Sequence, residues 1–150
     1  MKKILIIVLM SAGLMAPAFA QSESSYQVSP KSEQKLKPGL GALYDSAPLL
    51  NHKSSQANVT VRAKTGQGEL HAGWEDHIFV MEGEADLVLG GTIEHPKTVS
   101  DGEMRGDGIK GGKRFSLHPG DYIFVPVNTP HQMIVAPGKS IRYGVVKTKP

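Results

Sequence analysis

Residues 66–85 read GQGELHAGWEDHIFVMEGEA. Three carboxylates and two imidazoles lie within nine residues of this stretch, at Glu69, His71, Glu75, Asp76 and His77. Side chains of an extended strand alternate between its two faces, so Glu69 and His71 leave the same face. An apolar run and a turn glycine, Gly83, follow. We interpret the stretch as two short strands that carry candidate metal ligands.

A second stretch, residues 118–131, reads HPGDYIFVPVNTPH and brings one more imidazole, His131, beside a short apolar strand. An all-β protein can build a metal site by converging such groups on one point from two strands. A lone histidine in a β-domain is more often a surface or hydrogen-bonded residue, and we assign His52, His95 and His118 to that class. His71 and His131 are therefore the candidate imidazole ligands.

The rest of the chain has the pattern of an all-β domain. Short runs of alternating apolar and polar residues, rich in β-branched side chains, are separated by glycine and proline turns every eight to twelve residues. No stretch has helical periodicity over three turns. This pattern predicts a sandwich or barrel. The predicted strands are 58–63, 69–71, 76–81, 84–89, 113–117, 122–125, 131–135 and 140–147.

Two segments fall outside that pattern. Residues 92–112 contain five glycines, Pro96 and mixed charges, so we expect an exposed loop over one end of the barrel, with Arg105 as a candidate contact for an anionic substrate. Residues 38–51 hold several leucines and a tyrosine. We expect them to form a short arm packed on the domain or on a second subunit.

The N-terminus has the features of a secretory signal peptide over residues 1–20. Two lysines precede an apolar run at 4–10, and Ala18 and Ala20 supply the small residues that a signal peptidase needs. A retained anchor is the alternative, but the run is shorter than the ~20 residues of a membrane-spanning helix. We predict cleavage after Ala20, a periplasmic or secreted protein without membrane contact, a flexible lead-in at 21–40 and a single domain at 41–150.

The charge argues against nucleic acid as a partner. The chain has 17 Lys and Arg residues against 14 Asp and Glu, a formal net charge of +3, and signal cleavage would remove Lys2 and Lys3. The mature charge of about +1 gives little attraction for a polyanion. Cysteine is absent, so stability must come from packing or a metal and not from disulfides.

At these residues the sequence resembles the cupin family. The family's second motif has the spacing Gly-x5-Pro-x-Gly-x2-His, which Gly120, Pro126 and His131 match. Asn128 replaces the inner glycine, and asparagine accepts a left-handed backbone better than most residues. Val135 stands where the motif ends in asparagine. The resemblance covers roughly residues 58–146 and implies a jelly-roll-like β-barrel, in which chains often pair through their sheets as homodimers.

The first cupin motif implies the ligand set. With Gly83 as the reference, Asp76 occupies the family's glutamate position, His71 its second histidine and Glu69 its first. The resemblance therefore implies a metal site of Glu69, His71, Asp76 and His131, richer in carboxylates than the usual three histidines and one glutamate. His77 is the alternative to Asp76, since a bulge near Gly73 would turn it inward.

Mixed nitrogen and oxygen ligands suit Fe(II), Mn(II), Zn(II) or Ni(II). Three hypotheses follow from such a site. The first is a metal-dependent enzyme for a small oxygenated or carboxylate substrate, with Glu69 or His77 moving protons. The second is a module that binds a small molecule or a metal without turnover. The third is a barrel whose site is vestigial.

Overall fold

The computed structural model describes residues 29–31, 34, 36–37 and 43–150. The predicted signal peptide, and all of the predicted lead-in except those six residues, lie outside this part of the chain. Of the six, Lys31 forms an ion pair with Glu82 at 3.2 Å, and Gln34 accepts a hydrogen bond from Arg142 at 3.0 Å. Among the described residues, no helix has the length and apolar content that spanning a membrane needs.

Regular structure in the described residues consists of short β-strands. The strands are β1 (Tyr44–Asn51), β2 (Ser55–Arg62), β3 (Gly68–His71), β4 (Glu75–Gly83), β5 (Ala85–Leu89), β6 (Thr92–Glu94), β7 (Lys97–Ser100), β8 (Glu103–Gly106), β9 (Gly108–Lys110), β10 (Lys113–Leu117), β11 (Tyr122–Val125), β12 (His131–Ile134) and β13 (Ile141–Thr148). The all-β prediction is confirmed.

The strands form two main sheets with antiparallel pairing. The five-stranded sheet has the order β1-β2-β13-β4-β11, and the six-stranded sheet has the order β10-β5-β12-β3-β8-β7. Strands β6 and β9 form a separate two-stranded ribbon. From β2 to β5, and again from β10 to β13, successive strands alternate between the two main sheets. This jelly-roll-like path places β3 and β12 side by side in one sheet and β4 in the other.

Apolar side chains from both sheets share one core. Ile78 on β4 and Ile141 on β13 come from the five-stranded sheet, and Leu87 on β5 and Met133 on β12 come from the six-stranded sheet. Along β4, Asp76, Ile78 and Val80 are buried while Phe79 and Met81 are exposed. The period of two expected for a strand with one buried face therefore holds along β4.

Two turns have a residue with positive φ, at the glycine and the asparagine that the sequence placed there. Gly83, the last residue of β4, has φ +77°, and a Cβ there would overlap the carbonyl oxygen of Ser140. Asn128 has φ +58°, in the left-handed region that asparagine tolerates. The substitution of asparagine for the motif's inner glycine is thus compatible with the fold.

One of the two expectations about irregular segments was wrong. Residues 92–112 are not an open loop, because they contain β6, β7, β8 and β9. Strand β8 pairs with β3, so that Arg105 lies opposite Glu69 and Glu103 opposite His71. Within the segment expected to form an arm, β1 is an edge strand paired with β2 along its length, so it packs on the domain. These strands are short or lie at edges, and their pairing supplies the order that local sequence lacks.

Candidate metal centre

The candidate ligands come from three strands in two sheets. Glu69 and His71 lie on β3, and His131 begins the neighbouring β12, where it is directly paired with Glu69. Asp76 begins the buried row of β4 in the opposite sheet. His71, Asp76 and His131 are each 5–7% exposed. The fold therefore brings together all four residues that the cupin resemblance implied.

Glu69, His71 and His131 form a compact group. Each offers one ligand atom, and the three atoms lie within 4.8 Å of one another. The His71 Nε2 atom is 3.9 Å from Glu69 Oε2, and the two imidazole ring centroids are 5.0 Å apart. Two imidazoles and one carboxylate at this spacing could hold a divalent transition metal ion.

Asp76 lies between the imidazoles and a lysine. Its Oδ2 atom is 3.5 Å from His71 Nε2 and 3.7 Å from His131 Nε2, distances at which attraction is mainly Coulombic. Its Oδ1 atom accepts a hydrogen bond of 2.6 Å from Lys147 Nζ. Lys147 is directly paired with Asp76 across β13 and β4. Asp76 thus faces the candidate ligands with one oxygen and a cation with the other.

Both imidazoles are oriented by their other ring nitrogen. Glu103 Oε2 lies 2.5 Å from His71 Nδ1, and the carbonyl oxygen of Thr129 lies 3.0 Å from His131 Nδ1. A carboxylate or carbonyl oxygen can only accept, so each Nδ1 carries a proton, and in the neutral imidazole Nε2 then keeps its lone pair. Metal-bound histidines are characteristically held in this way.

His71 Nε2 is also a buried polar atom without a hydrogen-bond partner among the described residues. Buried polar groups are nearly always satisfied, so such an atom calls for an explanation. A metal ion would supply the missing partner. The orphaned nitrogen, the donor set and the second-sphere acceptors Glu103 and Thr129 all fit a divalent metal.

Burial and the charges within the cluster shift the pKa values of Asp76, His71 and His131. Burial would raise the pKa of Asp76, but the proximity of His71 and the charge and hydrogen bond of Lys147 lower it to about 2. Burial and Lys147 favour neutral His71, yet contact with Asp76 and the hydrogen bond to Glu103 raise its pKa above the usual 6.5. Burial lowers the pKa of His131. At neutral pH, Asp76 is therefore ionised and His131 neutral.

The cluster opens into a cavity of about 230 Å³, whose lining includes Glu69, Asp76 and His131. Arg105 and Lys147 also line it. Arg105 Nη1 is 2.8 Å from Glu69 Oε1, so the residue that we considered for an anionic substrate is paired with a candidate ligand. A molecule entering the cavity would meet both carboxylates and His131.

His77 is not part of the cluster. It lies on the opposite face of β4 from Asp76, with Nδ1 2.8 Å from the Tyr122 hydroxyl and Nε2 3.2 Å from Thr148 Oγ1. Pairing of β4 with β13 is regular over 75–79, and the register shift falls between Arg142 and Tyr143, far from Gly73. Without a bulge before it, His77 stays outside, and the structure brings it to the site neither as a ligand nor as a proton carrier.

Sequence reasoning missed two residues of the centre, Glu103 and Lys147. Lys147 continues the alternating row of Tyr143 and Val145 on β13, so strand alternation could have placed it on the inner face. Glu103 gave no such signal, because it reaches His71 only through the pairing of β8 with β3.

Among known proteins, significant similarity was found only to solved structures. No family model matches the sequence, and no curated protein is significantly similar to it. Fe(II) HppE is 22% identical, with a TM-score of 0.56 over 83% of this chain and 61% of HppE. The polyketide cyclase RemF from Streptomyces resistomycificus is 21% identical, with a TM-score of 0.51 over 71% of this chain and 65% of the cyclase.

A third similar structure is an RmlC-like cupin family protein with a double-stranded β-helix fold from Methanocaldococcus jannaschii. It is 17% identical, with a TM-score of 0.50 over 71% of this chain and 80% of that protein. This chain spans less than two thirds of the length of HppE and of the cyclase. At such identities the likeness concerns the fold, and activity must be argued from the site. The chain therefore has the cupin fold, as the two motifs predicted.

Proposed function

We propose that this protein binds one divalent metal ion through Glu69, His71 and His131 and acts on a small oxygenated or carboxylate-bearing molecule in the adjoining cavity. The observation that carries the proposal is the buried, unpartnered Nε2 of His71, which faces the carboxylates of Glu69 and Asp76. Two histidines and one carboxylate are the ligand set of many non-haem Fe(II) enzymes, so Fe(II) is the first candidate metal, ahead of Mn(II), Zn(II) and Ni(II).

When bound, such an ion supplies Lewis acidity, or redox chemistry if it is iron. The residues of the chain supply position and charge. Arg105 holds Glu69 Oε1, which leaves Oε2 directed at the centre. Lys147 Nζ holds a proton against Asp76 Oδ1 at the cavity wall, where that proton could be shared with a substrate oxygen.

Elemental analysis of the purified protein tests the metal site. We expect about one equivalent of a transition metal, lost in His71→Ala and His131→Ala while circular dichroism still reports a folded β protein. The matched control is His77→Ala, which removes an imidazole from the outer face of β4 and should retain the metal. A wild-type protein without stoichiometric metal after reconstitution, or histidine variants that retain it, would favour a vestigial site.

Turnover separates an enzyme from a binding module. The reconstituted protein would be incubated with a panel of small hydroxy and keto acids, in air and under argon, and the mixtures analysed by mass spectrometry. A metal-dependent product supports an enzyme. Recovery of every bound acid unchanged supports the module that binds without turnover.

We also propose that the protein is exported by residues 1–20 and works in the periplasm or outside the cell, on the basis of the basic start, the apolar run and the small residues at 18 and 20. A homodimer is proposed from the outer face of the five-stranded sheet, where four large apolar side chains are 43–53% exposed: Phe79, Met81, Tyr122 and Phe124. Sedimentation equilibrium of wild type and Phe79→Ser would test the dimer, since the variant should shift towards monomer.

A further inference from the structure

The cavity has a polar wall built by β1 and β2 of the five-stranded sheet, whereas Glu69, His71 and His131 lie on the six-stranded sheet. Tyr44 and Ser46 on β1 line it together with Asn58, Thr60 and Arg62 on β2. The hydroxyls of Ser46 and Thr60 are 3.1 Å apart. None of these residues belongs to the candidate ligand set, so the wall needs an explanation of its own.

Arg62 is the only charged residue of this wall, and it is 7% exposed. Its Nε donates a hydrogen bond of 3.3 Å to the Tyr143 hydroxyl, and its guanidinium carbon lies 4.9 Å from the centre of the Tyr44 ring. Its Nη1 lies so close to Gly66 that a Cβ there would overlap it. These neighbours fix the guanidinium in place but bring no negative charge.

The carboxylates of the cavity are already paired with other cations. Glu69 is held by Arg105 and Asp76 by Lys147. Of the ion pairs within the part of the chain that the structure describes, none includes Arg62. The lining thus has one more cation than carboxylates, and a divalent metal would increase that excess. A buried cation without a countercharge is costly, so the cavity favours an anion at Arg62.

We infer that Arg62 is a binding residue that anchors the carboxylate of a small acid, whose other polar end faces the metal centre. Only one part of this inference rests on the proposed function, namely that the other end of the acid faces a bound metal. A guanidinium binds a carboxylate through two parallel hydrogen bonds. A phosphate dianion would call for more positive charge, and the other cations of the cavity, Arg105 and Lys147, are occupied.

The cavity also limits the size of the acid. Tyr143, which binds Arg62, and Lys147, which binds Asp76, are four residues apart on β13, roughly 13 Å along the strand. Inward side chains shorten the free path, and the volume of about 230 Å³ is below the range of drug-sized ligand sites. An acid of a few carbon atoms with a second oxygen group fits, and the hydroxyls of Ser46 and Thr60 can contact its middle.

The test compares acids with their uncharged amides. Acetate, lactate and succinate, each beside its primary amide, would be titrated by calorimetry into the Zn(II)-loaded and the metal-free protein. We expect at least one acid to bind wild type, its amide to bind about tenfold more weakly or not at all, and Arg62→Met to abolish the difference. Arg114→Met is the matched control, because Arg114 is exposed and paired with Asp86 outside the cavity.

A second measurement covers the case in which Arg62→Met does not fold. In the wild-type protein, the ¹⁵N–¹H signal of Arg62 Nε should shift on titration with the acid and not with its amide. Failure of every acid to bind wild type, equal binding of acid and amide, or tighter Arg62-dependent binding of inorganic phosphate would overturn the inference.

The metal-free titration separates this inference from the proposed function. If the protein never holds stoichiometric metal but the difference between acid and amide persists and depends on Arg62, the proposed metal function fails and the carboxylate anchor stands. If metal binds as expected and acid and amide bind alike, the anchor fails and the metal site stands.

Discussion

Glu103 offers a quantitative test of the metal centre, because it reaches His71 from behind without contributing to the ligand set. We expect Glu103→Ala and Glu103→Gln to weaken metal binding while leaving the three ligands intact. The carboxylate is 2.5 Å from Nδ1 of His71 and its side chain is 23% exposed, so it forms a short, charge-assisted hydrogen bond that is largely shielded from water.

The expected loss of metal affinity follows from that contact. Loss of an outer-sphere partner of a histidine ligand typically reduces metal affinity by about 10- to 100-fold, which corresponds to about 1.4–2.7 kcal/mol. Glutamine keeps an oxygen that can accept from Nδ1 and loses only the charge, so Glu103→Gln belongs at the lower end. Alanine removes the acceptor, so Glu103→Ala belongs at the upper end.

Competition with a chromophoric chelator for Zn(II) at constant pH would measure the dissociation constants. Asp107→Asn is a matched control, because Asp107 contacts His95 Nδ1 at 2.9 Å in a similar His–carboxylate pair, with side chains 76% and 82% exposed. That variant should bind Zn(II) like wild type. If Glu103→Ala stays folded and binds Zn(II) within about threefold of wild type, His71 is not a ligand oriented by Glu103 and our account of the centre is refuted.

Three further predictions concern stability and processing. The pKa of Asp76 falls from 3.8 to about 2 on folding, so the metal-free protein should lose about 2 kcal/mol of stability as the pH drops from about 4 to 2, and urea unfolding of Asp76→Asn should lack this step. Gly83→Ala should cost at least about 1 kcal/mol more than Gly90→Ala in urea unfolding, because both glycines have positive φ but only at Gly83 would the added Cβ overlap backbone; equal losses would argue against the overlap. After expression in a Gram-negative host, the intact mass of the periplasmic protein should correspond to a chain beginning at Gln21, and Ala18→Arg should leave uncleaved precursor; mature protein of full length would contradict the signal peptide.

The pKa shifts of Asp76 and His71 make stability depend on pH in opposite directions. A depressed carboxyl pKa, as at Asp76, stabilises the fold above the unfolded value of 3.8 and loses that contribution as the pH falls. A raised imidazole pKa, as at His71, stabilises the metal-free fold below 6.5 and loses that contribution as the pH rises through the folded value. The two shifts describe largely one interaction and must not be added. Metal binding requires neutral His71, so affinity should fall as the medium is acidified.

Local patterns were enough to predict the strands that carry the ligands. Alternation along 76–81 meant that only one of Asp76 and His77 could face inward, and the spacing from Gly120 to His131 located β12. The choice between Asp76 and His77 needed the pairing of β4 with β13, which depends on residues about 70 positions away. Local sequence contains no information on such a register.

The parts that sequence did not predict depend on pairing between distant segments. Strand β8 is four residues long and mixes Glu103, Met104 and Arg105, a composition as typical of a loop as of a strand. Its pairing with β3 sets Glu103 behind His71 and Arg105 against Glu69. The second sphere of the centre is thus a product of tertiary structure, whereas the ligand motifs are visible in the chain itself.

The six-stranded sheet has its narrowest seam at the centre. Strands β12 and β5 share four directly paired residues, but β12 and β3 share one pair, His131 with Glu69, flanked by single backbone bonds from Gly66 to Met133 and from Asn128 to His71. An ion held by Glu69, His71 and His131 would crosslink the two halves of that sheet, β10-β5-β12 and β3-β8-β7. Removal of the ion by a chelator should therefore destabilise the pairing of β12 with β3 first. Amide hydrogens along this seam should then exchange before those of β4 and β13.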